Sequence, residues 1–167
     1  MNKQDFINTW ILLQSGAAEM KNEKEIWWEG KYGDKITVEF CKDSITSGIV
    51  REYHENGQLY REYNYQNGEL HGLCKDYYEN GQLRWEGNYQ NGERHGLCKR
   101  YRENGQLHWE GNYQNGKLHG LSKGYYENGK LWWEENYQNG ERHGLYKGYY
   151  ENGRLDWEDN YQNGKLK

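Results

Sequence analysis

Proline is absent from this chain of 167 residues, and phenylalanine and cysteine are scarce, with two and three residues. Apolar residues make up only 34%, which is too little to fill a deep aliphatic interior. A chain this polar could be disordered, but disordered segments are poor in aromatic residues, and here aromatic residues reach 16%. The apolar material must therefore consist mainly of half-exposed rings with polar tips.

The charge pattern and the cysteines exclude several classes of function. The net charge is −4 with both signs interspersed, so the chain lacks the basic block typical of nucleic-acid binding. The cysteines Cys41, Cys74 and Cys98 are odd in number and sparse, which indicates free thiols in a reducing, cytoplasmic compartment. Because no CxxC or CxxH pair occurs, we expect no structural zinc site, and the sequence predicts no cofactor.

Residues 1–24 differ in kind from the rest. Phe6, Trp10, Leu13 and Ala17 fall on one face of an amphipathic helix, which predicts a short N-terminal α-helix. The run is too short and polar to span a bilayer, and Asp5 near its start argues against a signal peptide. The helix either covers one end of the following repeats or binds a partner.

A repeat of 24 residues occupies most of the chain. Five copies fill residues 53–167, the last of them truncated, and residues 25–52 hold a degenerate first copy. Each copy contains two Asn-Gly pairs, which are the strongest short signal for a β-hairpin because both turn residues need positive φ. The sequence therefore predicts an all-β fold, a single-layer twisted antiparallel sheet of tandem β-hairpins.

The register follows from cross-strand charges. We take the turn at Asn104-Gly105 as a two-residue turn, and the turn near Gly92-Glu93 as a loop of about four to six residues, the length that removes a slip in register. Acidic and basic residues then alternate on one row, where opposite charges stabilise by roughly 0.2–1 kcal/mol per pair. The row reads Arg51, Glu62, Lys75, Glu86, Lys99, Glu110, Lys123, Glu134, Lys147 and Glu158.

The opposite face is predicted to be aromatic. Tyrosines are expected to cover glycines on the adjacent strand, as Tyr113 would cover Gly96 and Gly120. A further row on the same face is expected to pair leucines with Arg102 and its equivalents, as Leu107 would pair with Arg102. Tryptophan is larger than covering a glycine requires, so we predict a partner-binding groove. Its residues are Trp85, Trp109, Trp133, Trp157, Tyr89, Tyr113 and Tyr137.

Other residues have structural interpretations. His95 and its equivalents recur about 9.6 Å apart, two strands away from one another, which is too far to share one metal ion easily. Cys74 and Cys98 have the same separation, beyond the reach of a disulfide. The C-terminal strand, ending near Gln162, would lack a partner, so an edge-to-edge homodimer is conceivable, although the acidic residues of this strand oppose it.

The stretch Trp85–Gly96, WEGNYQNGERHG, resembles the MORN repeat, whose core is aromatic-x-Gly-x-aromatic-x-x-Gly-x-x-His-Gly. The Tyr-x-Glu-Asn-Gly connector is similar to the variant found in bacterial and large-virus members, including a YwqK-like group labelled antitoxin. Arg61 and Tyr63 in the first unit, Glu135 in the fourth and Asp159 in the fifth depart from the pattern. The resemblance implies an elongated, non-catalytic hairpin array used for protein contacts, and sometimes discussed as lipid-binding.

We therefore expect a scaffold that is not an enzyme and that binds a protein partner along the aromatic groove. The alternatives are association with a membrane surface or phospholipid, and antitoxin-like neutralisation of a protein. A third is a carbohydrate-binding repeat module, which would need export. The expected location is cytoplasmic, and peripheral to a membrane if lipid is bound. No run of basic residues favours anionic lipid.

Overall fold

The computed structural model describes residues 26–29, 35–40 and 48–167. Within these residues fourteen strands form one open antiparallel sheet whose order follows the chain. No helix occurs in this part of the chain, so none there could cross a membrane. The helix predicted over residues 1–24 lies outside the described residues.

The strands have the following bounds: β1 Ile26–Glu29, β2 Lys35–Phe40, β3 Gly48–Tyr53, β4 Leu59–Gln66, β5 Glu69–Leu70, β6 Gly72–Tyr77, β7 Leu83–Gln90, β8 Glu93–Tyr101, β9 Leu107–Gln114, β10 Lys117–Tyr125, β11 Leu131–Gln138, β12 Glu141–Tyr149, β13 Leu155–Gln162 and β14 Lys165–Leu166. Each strand pairs with the next along the chain, except that β4 pairs with both β5 and β6. The short β14 pairs with the end of β13, so the last long strand is partly covered rather than unpartnered.

The predicted charge row is confirmed at every step from Arg51 to Glu158. Lys99 is the Cα partner of Glu86 on one side and of Glu110 on the other. Two ion pairs close on this row within the described residues, Arg51–Glu62 at 2.8 Å and Lys147–Glu158 at 3.2 Å. Elsewhere tyrosine hydroxyls donate to the glutamates, as Tyr101 does to Glu86 at 2.7 Å. The alternation therefore sets the register, while the direct partner of a row glutamate is often a tyrosine.

The loop predicted around Gly92 and Glu93 is shorter than expected. Asn91 and Gly92 have φ of 51° and 78°, and Gln90 pairs directly with Glu93. Positive φ at both central residues defines the two-residue type I′ turn that matches strand twist. The extra residues lie further along β8, where the register shifts between Tyr89–Arg94 and Gly87–Cys98. A bulge at the His-Gly dipeptide, not a long loop, removes the slip.

The turn at Asn104-Gly105 is longer than the predicted two residues. The Gly105 N–H donates to the Arg102 carbonyl and the Arg102 N–H donates to the Gln106 carbonyl, both at 2.8 Å. Only Gly105 has positive φ, and the Asn104 side chain accepts the Gln106 N–H at 3.0 Å, a local contact typical of asparagine in turns. This is a three-residue loop with a glycine bulge. A compensating one-residue bulge at His108 restores the Arg100–Trp109 pairing.

Turns of successive repeats are linked to one another along both edges of the sheet. On the type I′ edge, the Gly92 N–H donates to the Leu70 carbonyl, and Gly116, Gly140 and Gly164 repeat this contact. On the other edge, the Tyr78 hydroxyl donates to the carbonyl of Tyr101. Each repeat is thus stabilised by its neighbours, as expected for a one-dimensional array.

The buried interior is small. Cys74, Trp85 and Cys98 are the buried apolar residues of the described chain, and partly buried rings pack around them. Both thiols are free, and burial raises the pKa of Cys74 to about 11, so it is a packed, protonated thiol rather than a nucleophile.

Candidate functional site: the aromatic face

One face of the sheet carries the row Trp85, Trp109, Trp133 and Trp157, and we call it the aromatic face. The cross-strand partners that these tryptophans share are Arg100, Gly124 and Gly148. The bulge before each tryptophan brings the preceding residue close to the same face. Arg84 accordingly reaches Asp76, the cross-strand partner of Trp85, at 3.1 Å.

The prediction that tyrosines cover glycines is wrong. Gly96 and Gly120 have no atom within 4 Å of a built Cβ, and their φ values of 84° and 88° place them in bulges. Tryptophans cover glycines instead. A Cβ on Gly87 would lie 2.6 Å from Trp85 Cζ2, and one on Gly111 would lie 2.6 Å from Trp109 Cζ2. Each indole therefore needs a residue without a side chain beneath it.

We call the glycine that lies beneath a tryptophan ring the seat of that ring. The tryptophans use two different seats. In the front units, β7 to β9, Trp85 and Trp109 lie over the glycine two residues later on their own strand. In the rear units, β11 to β13, those positions hold Glu135 and Asp159. Trp133 and Trp157 there lie over glycines of the preceding strand, and a Cβ on Gly124 would approach Trp133 Nε1 to 2.3 Å.

Beside the tryptophans runs a central column of residues, one from each strand, that are paired directly across the sheet. The side chains in this column explain the two seats. In the front units this column holds Cys98, Gly111 and Ser122, which leave room for a ring. In the rear units it holds Glu135 and Tyr146. The Tyr146 ring packs edge-on against Trp157 at 4.3 Å and Trp133 at 6.3 Å. Side chains in the column displace the rear indoles to the opposite glycine.

The three tyrosines predicted for the site also divide in this way. Tyr89 and Tyr113 pack edge-on against Trp85 and Trp109 at 6.1 and 6.4 Å. Tyr137 instead donates its hydroxyl to Glu135 at 2.5 Å. Burial, and then this hydrogen bond, raise the pKa of Tyr137 to about 12.

Arg142 completes the rear cluster, with Nε 2.9 Å from the Glu135 carboxylate. Glu135 itself is only 5% exposed. The glutamate that departs from the repeat pattern is therefore a buried carboxylate held by an arginine and a tyrosine hydroxyl.

Exposure ranks the candidates differently from the sequence. Trp85 is 8% exposed and Trp157 is 37% exposed, whereas Trp132, which the prediction missed, is 48% exposed. Strict alternation of side chains along β11 would place Trp132 on the face opposite to Trp133. The signal that could have found it is the one-residue bulge between Leu131 and Trp133, which changes the alternation.

Two adjoining cavities open on the aromatic face. The first, about 410 Å³, includes Asp76, Arg84, Arg94 and Trp85 among its lining residues. The second, about 350 Å³, is lined by Trp109, Tyr113, Trp132 and Trp133 with Gly124. Arg100 and His108 line both cavities, and together the cavities extend from β4, which carries Tyr63, to β11.

The row of leucines predicted for the aromatic face lies on the other face of the sheet. Leu107 pairs with Tyr101, not with Arg102, and Tyr101 donates its hydroxyl to Glu86 of the charge row. The leucines and these tyrosines therefore share the face of the charge row. The bulge at His108 is the physical reason, because it interrupts the alternation of side chains between Leu107 and Trp109.

The described residues contain no group of three or more His, Cys, Asp or Glu side chains placed to hold a metal ion. The recurring histidines lie at the bulges, where His119 Nδ1 accepts the Asn139 N–H at 3.5 Å. What the aromatic face offers chemically is stacking surface and cationic donors.

Comparisons with known proteins place these repeats. No curated protein matches the chain. Two solved structures of S. aureus TarM resemble it at 11% identity, with TM-scores of 0.38 and 0.36, one of them a mutant in complex with fondaparinux, alpha-GlcNAc-glycerol and UDP. These matches cover 86% and 84% of this chain but only 24% of the TarM chains, and likeness at this level carries no argument.

The family comparison is decisive. The model of the MORN repeat variant matches five tandem segments, at residues 47–67, 70–91, 94–115, 118–139 and 142–163. The matched segments contain β7, β9, β11 and β13, which carry the four tryptophans of the aromatic face, and each segment ends at the asparagine that begins a type I′ turn. The chain belongs to the MORN repeat variant family.

Proposed function

We propose that the chain is a non-catalytic repeat scaffold that binds a protein partner in a groove on its aromatic face. MORN repeats generally form scaffolds without catalytic activity, often for protein or membrane interaction. The choice of a protein partner and of this face is the proposal.

The observation that carries it is the joined pair of cavities. They share Arg100 and His108 and place the exposed Trp132 beside Trp109 and Trp133. Solvent-exposed tryptophan and arginine at the centre of a concave surface are the residue types that dominate protein interfaces. The four predicted tryptophans each lie over a glycine, whereas Trp132 covers no described glycine and is 48% exposed.

Site-specific photo-crosslinking tests the proposal. A photoreactive phenylalanine analogue replaces Trp132 in one variant and Leu97 in the other, and each full chain is expressed in its native cell. Leu97 is 38% exposed and lies on the charge-row face, so it is a matched apolar control. We expect a discrete protein adduct from position 132 alone. No adduct from position 132, or an equal one from position 97, would contradict binding on this face.

A further inference from the structure

We propose that the cavity pair binds an acidic segment of the partner protein, with carboxylates against Arg94 and Arg100 and apolar side chains against Trp109 and Trp132. This inference rests on the proposed function and adds the chemistry of the partner. We call the surface formed by Arg94, Arg100, His108, Trp109 and Trp132, together with the rest of the two cavities, the groove.

The first argument is the balance of charge in the groove. Asp76 is the one carboxylate that lines the first cavity, and it is already engaged by Arg61 at 3.5 Å and Arg84 at 3.1 Å. Neither Arg94 nor Arg100 has a carboxylate within 4.0 Å among the residues that the structure describes. Two guanidinium charges therefore face the groove without a counter-ion from the described residues.

Contacts with rings hold these arginines in place. The Arg94 guanidinium lies 5.7 Å from the Trp85 ring and 5.4 Å from the Tyr113 ring. Arg100 lies 5.9 Å from the Trp109 ring. Such contacts orient a cation without neutralising it. A guanidinium also presents several N–H donors in a plane, which matches a carboxylate in bidentate geometry.

His108 reports the same positive potential. Partial burial lowers its pKa, and the charges of Arg102 and Arg100 lower it further. Glu103 and Glu127 line the neighbouring cavity together with Arg102 and His108, so these two acidic residues lie beyond the groove, and Asp76 is the acidic residue within it. The concentration of positive charge stands out in a chain whose net charge is −4.

The rear units provide an internal comparison. Arg142 occupies the position of Arg94 two repeats later, and Glu135 supplies its carboxylate at 2.9 Å. The position of Glu135 in the front units is Gly87. Arg142 thus has the carboxylate partner that Arg94 lacks. A carboxylate of the partner protein would supply the missing group.

The spacing of the two arginines defines the segment. Arg94 pairs with Tyr89 and Arg100 pairs with Trp85, four residues apart on β7. At about 3.3 Å per residue, this corresponds to roughly 13 Å along the strand. An extended segment with two acidic residues about four positions apart, and an apolar residue near them, fits this spacing. Rings along the rest of the groove favour a peptide over a lipid headgroup.

The test is selection from a displayed library of random peptides on the full chain. We expect the selected peptides to be enriched in Asp and Glu relative to the unselected library. Their synthetic copies should bind the double variant Arg94→Gln, Arg100→Gln about tenfold or more weakly, since two charge-assisted contacts are lost. The control, Lys75→Gln with Lys99→Gln, removes the same charge from the opposite face and should change affinity by no more than about twofold.

Folding is measured by thermal unfolding of each variant. If the glutamine variant unfolds, Arg94→Lys with Arg100→Lys keeps the charge and should still weaken binding, because lysine lacks the bidentate fork. Vesicles of phosphatidylserine serve as a second probe. Absence of acidic enrichment, equal binding to both glutamine variants, or arginine-dependent vesicle binding that acidic peptides do not displace would each overturn the inference. An adduct at position 132 would then leave the proposed function standing.

Discussion

The front and rear units of the sheet follow one repeat but solve the packing of tryptophan differently. In the front units the indole lies over a glycine of its own strand, and in the rear units over a glycine of the neighbouring strand. The rear units fill the vacated column with Glu135 and Tyr146, and Arg142 becomes ion-paired. The difference shows that the repeat requires one bare position beside each indole but does not fix which one. The location of the glycine beneath the indole decides whether the arginine of that repeat has a carboxylate partner.

The largest expected effect comes from filling the front seat. A methyl group at Gly87 would lie 2.6 Å from Trp85 and 2.7 Å from Cys98 Sγ. We expect Gly87→Ala to lower the free energy of unfolding by about 1–3 kcal/mol, because neither packed group can give way. Urea denaturation measures this loss.

Gly96→Ala is the matched control, since nothing lies within 4 Å of its Cβ and only its φ of 84° opposes a side chain. Gly96→Ala should lower the free energy of unfolding by about 1 kcal/mol. If Gly87→Ala is as stable as the wild type, the two seats are interchangeable and the comparison fails.

A smaller effect separates the two arginines. Arg142→Gln leaves the Glu135 carboxylate buried without its cation, so we expect a loss of about 1–2 kcal/mol in unfolding free energy, discounted because the Arg142 side chain is 41% exposed. Arg94→Gln removes ring contacts and the hydrogen bond that Arg94 donates to the Tyr89 hydroxyl at 3.4 Å, and it should cost about 0.5–1 kcal/mol. Chemical denaturation of both variants provides the comparison. Equal losses would show that Glu135 does not depend on Arg142.

The smallest effect appears in alkaline solution. The folded rear unit raises the pKa of Tyr137 to about 12, whereas a tyrosine in the unfolded chain has a pKa of about 10. The stabilisation from this group is therefore complete below about pH 10 and is lost as the pH rises towards 12. Tyr137→Phe should flatten the decline of stability over this interval, as measured by denaturation at several pH values. An unchanged slope would show that Tyr137 titrates normally.

The sequence predicted the register because charge alternation is a local and additive signal. Each of the nine steps from Arg51 to Glu158 repeats one opposite-charge contact, so a wrong register would place like charges together many times. The same Asn-Gly dipeptide, however, begins two different turns. At Asn91 the backbone adopts positive φ, and at Asn104 the side chain instead accepts the Gln106 N–H. The dipeptide alone does not distinguish these outcomes.

The candidate site was less predictable. Strict alternation along β11 would place Trp132 on the face opposite to Trp133, whereas a one-residue bulge brings it to the cavity beside Trp133. Gly96 was interpreted as a position to be covered, but its positive φ shows that it is required by the backbone. Glycine serves both roles in this chain, and the letters are identical in either case.

The sequence by itself determined the hairpin array, its antiparallel order and its charge register, because these depend on neighbours a fixed distance apart in the repeat. Only the tertiary structure decided which glycine lies beneath each indole, which residues the bulges bring to the aromatic face, and which arginines keep a partner. Those outcomes depend on the volume of side chains on three adjacent strands at once, and no single repeat contains all three.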